Sequence, residues 1–293
     1  MAVTGVLSLY SAGFRSSVTY LQGHSIADFR KLDWGPILLD TFGIATVPLM
    51  LVGFQFVGPP ELRTLLTYTS SDPTLHGLFG HWAVHYAPVL LLENVMGYLL
   101  VAVLGYLIAW RINERRWYRF SLLGIVLVVP AVGAILSTHA FAAIAPGFEY
   151  TSRGASAVVA ATLGLKYVLC LGGIRRTCDL RAAISVGGSM LIGVLVVLLA
   201  RVGSAPIETI VGLLGAGMLV LLLDAVERFV SGTANGIQYS VLLQSGITAG
   251  AVTLVMVVYF IGLFPANPFE GQFVTNVFSH AFGLGLGSLI AVW

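Results

Sequence analysis

The sequence predicts an all-α, polytopic membrane helix bundle of about eight transmembrane spans, and three observations carry that expectation. Of the 293 residues, 57% are hydrophobic and only 10% charged, against about 45–50% and about 25% in soluble globular chains. So little charge excludes a water-soluble fold with a polar shell. The apolar residues fall in blocks near the roughly 20 residues that a helix needs to cross a bilayer. The basic residues, finally, concentrate in alternate connections between those blocks, as the positive-inside rule requires. A net charge of +2 is too small to suggest a nucleic-acid partner.

Taken in order, the predicted spans are 35–57, 84–110, 120–143, 154–173, 184–200, 206–225, 240–264 and 273–293. Met1 to Lys31 mixes polar and apolar positions without the apolar core and small-residue cleavage site of a signal peptide, and residues 1–34 read as a cytoplasmic N-terminal segment ahead of a membrane domain at 35–293. Only Arg201 to Ala205 separate 184–200 from 206–225, so these two would form a tight hairpin. With a cytoplasmic N-terminus, the inner segments hold Arg15, Arg30, Lys31, Arg111, Arg115, Arg116, Arg119, Arg175, Arg176, Arg181 and Arg228, and the outer ones only Arg63, Arg153 and Arg201. Both termini are then cytoplasmic, in a multi-pass protein of the plasma membrane. The outer segment 58–83 opens on a Pro pair and then mixes polar and aromatic residues; it is too long for a simple turn and reads as a structured loop in the interface.

Polar groups inside apolar spans are costly, about 2.5–3.5 kcal/mol for a charge at a helix centre on insertion scales, and mark where chemistry is to be sought. They are Asp40, His85, Glu93, Asn94, His139, Ser156, Lys166, Asp224, Gln244 and His280. Ser156 opens one span and His280 lies in the outer half of another that runs the same way, so the two can meet at one depth. A serine within reach of an imidazole is the minimum for nucleophilic catalysis. The small residues Gly154, Ala155, Ala157 and Gly164, with Gly283 and Gly287 after His280, suit two helices in backbone contact. Asn94 offers a carboxamide that can donate to an oxyanion. Each residue also has an ordinary reading, since serine, glycine and asparagine all serve as packing and interhelical hydrogen-bonding residues in membrane bundles.

Together these residues resemble the rhomboid intramembrane serine proteases, as a divergent prokaryotic member; the near absence of lysine (Lys31 and Lys166 only) points to a GC-rich or halophilic, even haloarchaeal, source. Gly154-Ala155-Ser156-Ala157 matches the family's Gly-x-Ser motif, and His280, Gly283 and Gly287 its His-x-x-Gly-x-x-x-Gly motif. His85, Leu90 and Asn94 stand where the family has His-x4-His-x3-Asn. The resemblance implies Ser156 as nucleophile, His280 as general base, the Ser156 N–H and Asn94 as oxyanion donors, and His85 and Gly154 lining the cavity. It implies no metal or cofactor, and substrates that are single-span membrane proteins cut near the outer face. The chain departs from the pattern at Leu90, which replaces an oxyanion-hole histidine; losing one such donor typically lowers the rate about 10²–10³-fold. Ala157 replaces the usual glycine, Ala160 a frequent aromatic, the Trp-Arg of the first loop is missing, and two extra spans separate Ser156 from His280. Two alternatives stay open: a catalytically impaired relative that binds membrane partners, and a multi-pass transporter built on Lys166, Glu93 and Asp224.

The remaining candidates are weaker. His81 and His85 fall four apart and with His76 or Glu93 could ligate a metal on a helix, but the Glu of a His-Glu-x-x-His motif is missing. Lys166 calls for a partner such as Asp224 or Glu93. Cys170 and Cys178 sit in no metal-binding spacing.

Overall fold

A computed structural model describes residues 34–202 apart from positions 145, 148 and 178, isolated positions between 212 and 258, and residues 276–291. The chain divides by contacts into Met1–Phe42 and Gly43–Trp293. Four helical segments are long and apolar enough to cross a membrane: Trp34–Val57, Pro88–Arg111, Arg115–Ile144 and Ser156–Arg176. The protein is a helical membrane protein on that ground. Of the other predicted spans, 184–200 lies within a helix Leu180–Val202, and 273–293 contains a shorter one, Val277–Ile290. The spans 206–225 and 240–264 lie largely outside the described residues.

Helix α1 (Trp34–Val52) ends in a π-helical turn, Gly53–Val57, and extended Gly58 with the Pro59–Pro60 pair stops it. The segment 58–83 is structured, as expected. It holds α2 (Pro60–Leu65), a two-residue strand β1 (Tyr68–Thr69), α3 (Leu75–Gly80) and a 3-10 turn, His81–Ala83. Thr74 caps α3 by accepting a hydrogen bond from the Gly77 amide at 3.0 Å, which satisfies one of the free donors at the helix start.

The predicted span 84–110 becomes helical only four residues into its apolar run, as α4 (Pro88–Arg111). Proline suits the first helical position and disfavours helix in the residue before it. Ala87 is accordingly extended (φ −139°, ψ 148°). His85 is therefore on the lead-in to the helix, so His81 and His85 do not share a helical face. At its other end α4 closes on Asn113, which has the left-handed conformation at φ 60. The Glu114 N–H donates to the Ala109 carbonyl at 2.7 Å. The pair forms the Schellman arrangement that commonly ends a helix. Helix α5 (Arg115–Ile144) follows, then β2 (Thr151–Ser152), α6 (Ser156–Thr177), α7 (Leu180–Val202) and, near the C-terminus, α8 (Val277–Ile290). Strands β1 and β2 pair antiparallel, Tyr68 opposite Ser152 and Thr69 opposite Thr151.

Helix α6 is the axis of the second unit: α8 packs on it most extensively, α4, α5 and α7 also touch it, and α8 also lies on α5. From Ala155 to Lys166 every residue is buried except Ser156, which is half-buried. Three glycines set the α6–α8 spacing. A Cβ on Gly283 would lie 2.5 Å from the Ala157 carbonyl oxygen, one on Gly287 1.9 Å from that of Ala161, and one on Gly164 2.2 Å from that of Leu284. The backbones are thus in contact, as the small-residue pattern predicts. Residue 283 faces 157 and 287 faces 161, so the two helices run in the same direction, again as predicted.

Candidate active site

The parallel register places His280 one turn above Gly283, at the first residue of α6. There the His280 Nε2 lies 2.7 Å from the Ser156 Oγ. At that separation the hydroxyl can donate to the imidazole. His280 is buried (5% exposed), whereas Ser156 keeps partial access. Asn276 holds the start of α8 by accepting from the Ser279 amide at 2.9 Å.

The strand that delivers Ser156 is tied down residue by residue. The Ser70 amide donates to the Tyr150 carbonyl and the Tyr150 amide to the Ser70 hydroxyl, both at 3.1 Å. The Arg153 Nε donates to the Thr67 hydroxyl at 2.7 Å, and its guanidinium stacks 4.9 Å from the centre of the Tyr86 ring, a cation–π geometry. The Gly154 amide donates to the His81 carbonyl at 2.9 Å, and the Ala155 amide to the His85 Nε2 at 3.3 Å. Gly154 has φ +121°, a conformation that residues with a Cβ rarely adopt. The next amide, that of Ser156, has no acceptor among the described residues. As a helix N-terminus it is a natural anion donor.

Asn94, in the second turn of α4, lies over this strand: a Cβ on Gly154 would be 3.8 Å from its Nδ2. That nitrogen lies 2.9 Å from the Leu90 carbonyl and 3.0 Å from the His85 Nε2, so both of its hydrogens are committed. Leu90 is half-buried and contributes its carbonyl where a histidine would contribute a donor. His85 itself is buried, and its own amide donates to the Gln55 Oε1 at 3.1 Å. Gln55 stands in the π turn, whose wider path carries a polar side chain inward at the end of an apolar helix.

Burial lowers the pKa of both His81 and His85 to about 4, because the charged imidazolium would have to leave water. Both are neutral near pH 7. The His81 Nδ1 lies 3.0 Å from the Gly77 carbonyl and must carry its proton to make that bond.

The structure thus brings Ser156, His280, Asn94, His85 and Gly154 together. Other candidates do not converge: His76 is exposed, Glu93 and His139 take no part in the cluster, and the buried His81 serves the loop. Lys166 is fully buried with no hydrogen-bond partner for its Nζ among the described residues, and Asp224 and Gln244 lie outside them. Sequence reasoning missed Gln55 and Arg153. A glutamine ending an apolar span was a signal for the first; nothing local marked the second, whose partners are far away along the chain.

Compared with models of protein families, with curated proteins and with solved structures, the chain matches none.

Proposed function

We propose that this protein is a membrane-embedded serine endopeptidase of rhomboid type. The observation that carries the reading is the 2.7 Å contact between the Ser156 Oγ and the His280 Nε2 on two helices held in register by Gly164, Gly283 and Gly287. The motif resemblance supports it. In this reading the Ser156 oxygen bonds to the scissile carbonyl carbon as its proton passes to the His280 Nε2. The imidazolium then returns that proton to the departing amine as the C–N bond breaks, and water repeats the cycle to release the acyl group. The Ser156 N–H, at the positive end of α6, is the first oxyanion donor. Asn94 becomes the second by exchanging one of its present acceptors for the oxyanion.

The substrate would be a single-span membrane protein whose helix opens near the outer surface, since a peptide bond in a regular helix is shielded. Positive-inside asymmetry supports a plasma-membrane protein with both termini cytoplasmic and the site toward the outer side. No step needs a metal or cofactor.

The test is labelling by a fluorophosphonate probe in membranes or detergent, comparing the wild type with Ser156→Ala and His280→Ala. Labelling lost in both variants is the expected result. A folded wild type that stays unlabelled would refute the reading.

A second reading rests on a specific observation. Leu90 supplies no side-chain donor, and both Asn94 hydrogens are engaged. That favours a catalytically impaired relative that binds membrane helices in the same groove; it predicts that Ser156→Ala leaves partner binding intact.

A further inference from the structure

We propose that His85 is the positioning residue of the Ser156 site: a neutral imidazole, protonated at Nδ1, whose Nε2 lone pair holds both the backbone ahead of the nucleophile and the carboxamide of Asn94. The inference rests on the serine-nucleophile reading above and adds to it a role that motif matching does not supply.

The tautomer follows from the neighbours. The Nε2 atom faces two N–H donors, the Ala155 amide at 3.3 Å and the Asn94 Nδ2 at 3.0 Å. Asn94 cannot be turned over to offer its oxygen there, because its nitrogen also meets the Leu90 carbonyl at 2.9 Å. Nε2 therefore accepts and Nδ1 carries the proton. The Nδ1 atom is buried with no partner among the described residues, a cost that a purely structural histidine would be expected to avoid. The residue is held from behind as well, since the His85 amide is fixed by Gln55.

The geometry then explains why the segment before Ser156 has one conformation. Two successive amides, Gly154 and Ala155, are anchored four residues apart on the same outer segment, by the His81 carbonyl and the His85 ring. With Gly154 at φ +121° these anchors hold both peptide planes, and the Ser156 amide is the first with no acceptor among the described residues. The shared lone pair also couples the two oxyanion donors. When Asn94 turns to an oxyanion, the Nε2 lone pair is left wholly to Ala155, so the strand under the nucleophile is gripped harder as the second donor is released. His85 touches neither substrate nor the reacting atoms; it acts through Ala155 and Asn94.

The test uses full-length protein with His85→Gln, His85→Asn and His85→Ala. Glutamine sets an amide oxygen about where Nε2 stands; asparagine reaches only to the level of Nδ1. The second-order rate of fluorophosphonate labelling at Ser156 is measured beside thermal stability in the same detergent. The proposal expects His85→Gln within about fivefold of wild type, and His85→Asn and His85→Ala slower by about tenfold or more, the scale of a misplaced reacting group. ¹⁵N-histidine NMR of the wild type should show His85 protonated at Nδ1 and bare at Nε2. Wild-type rates in the Asn variant, a Gln variant as slow as Asn, or an Nε2–H tautomer would each overturn the role while leaving the Ser156 reading intact. An unlabelled wild type would instead remove the nucleophile reading and this role with it. If His85→Ala does not fold, the Gln–Asn pair and the tautomer decide.

Discussion

Gly287 lies two turns below His280 on the face that meets α6, and Gly287→Ala isolates the helix contact from the chemistry. The added methyl would stand 1.9 Å from the Ala161 carbonyl oxygen, 2.5 Å from its carbon and 2.6 Å from its Cα. All three atoms are backbone, so no side chain can swing aside. An ordinary van der Waals contact begins near 3.4 Å. To reach it the helices must part by about 1.5 Å at this level, since atoms pressed inside that distance repel steeply. Carried up two turns, a shift of that size would stretch the Ser156–His280 hydrogen bond to about 4 Å, beyond hydrogen-bond range. Overpacking of this kind costs about 1–3 kcal/mol, and misplacing a reacting group by about 1 Å can cost about 10²-fold in rate. Gly285→Ala is the control, because a Cβ there meets nothing within 4 Å and alanine is the better helix former. The assay is fluorophosphonate labelling rate together with thermal unfolding in detergent. Gly287→Ala should be both less stable and slower by about 10²-fold, with Gly285→Ala no worse than the wild type in either. A Gly287→Ala protein with wild-type stability and labelling would refute the helix-spacing argument.

Three further outcomes follow from the same geometry. Gly154→Ala meets only ordinary contacts, the nearest being the His85 Cδ2 at 3.6 Å. Its cost is backbone strain in the positive-φ region, about 1–3 kcal/mol, read as a lower unfolding temperature and slower labelling. Leu90→His adds an imidazole one turn before Asn94 and should speed labelling, by up to the roughly 10²–10³-fold that one oxyanion donor is worth; no gain would favour the impaired, partner-binding reading. His81 and His85, held neutral to about pH 4, take up protons more readily unfolded, where the ordinary value is 6.5. Stability should therefore be full above about pH 6.5 and fall as the pH drops toward 4, with His85→Gln flattening the decline. Unfolding midpoints across pH 4–8 measure it.

Much of the membrane architecture was legible because it is periodic or compositional. Span length and the Gly283–Gly287 spacing are local patterns, and each has its counterpart in a helix or a helix contact. The parallel course of α6 and α8 matches the expectation drawn from an odd number of predicted spans between Ser156 and His280. What was not legible depends on backbone detail. The apolar run from Val84 gave no sign that the helix waits for Pro88, although the proline itself did, and this four-residue difference takes His85 off the helix and turns its ring to the strand before Ser156. The π turn that carries Gln55 inward has no simple sequence signature. The anchoring of Arg153 on Thr67 and Tyr86 joins segments far apart in sequence, which periodicity cannot pair.

The site's two halves answer to different physics, and that division explains why the motif residues alone would be insufficient. Below Ser156, α6 and α8 meet backbone to backbone through glycines, a contact made by shape and dispersion and therefore stiff. Above it, the approach to Ser156 is fixed almost wholly by polar contacts from the segment between α1 and α4: the His81 carbonyl, the His85 ring, Thr67 and the aromatic face of Tyr86. Such bonds hold firmly only where water is scarce, and the burial of His81, Trp82, Ala83, Val84 and His85 supplies that condition. A helix crossing sets the distance between Ser156 and His280, and the loop holds the two amides ahead of Ser156. In the protease reading the outer segment is then part of the catalytic apparatus in its own right. Variants that loosen it, such as Arg153→Ala, should slow labelling of Ser156 without altering the α6–α8 contact, whereas Gly287→Ala should disturb both.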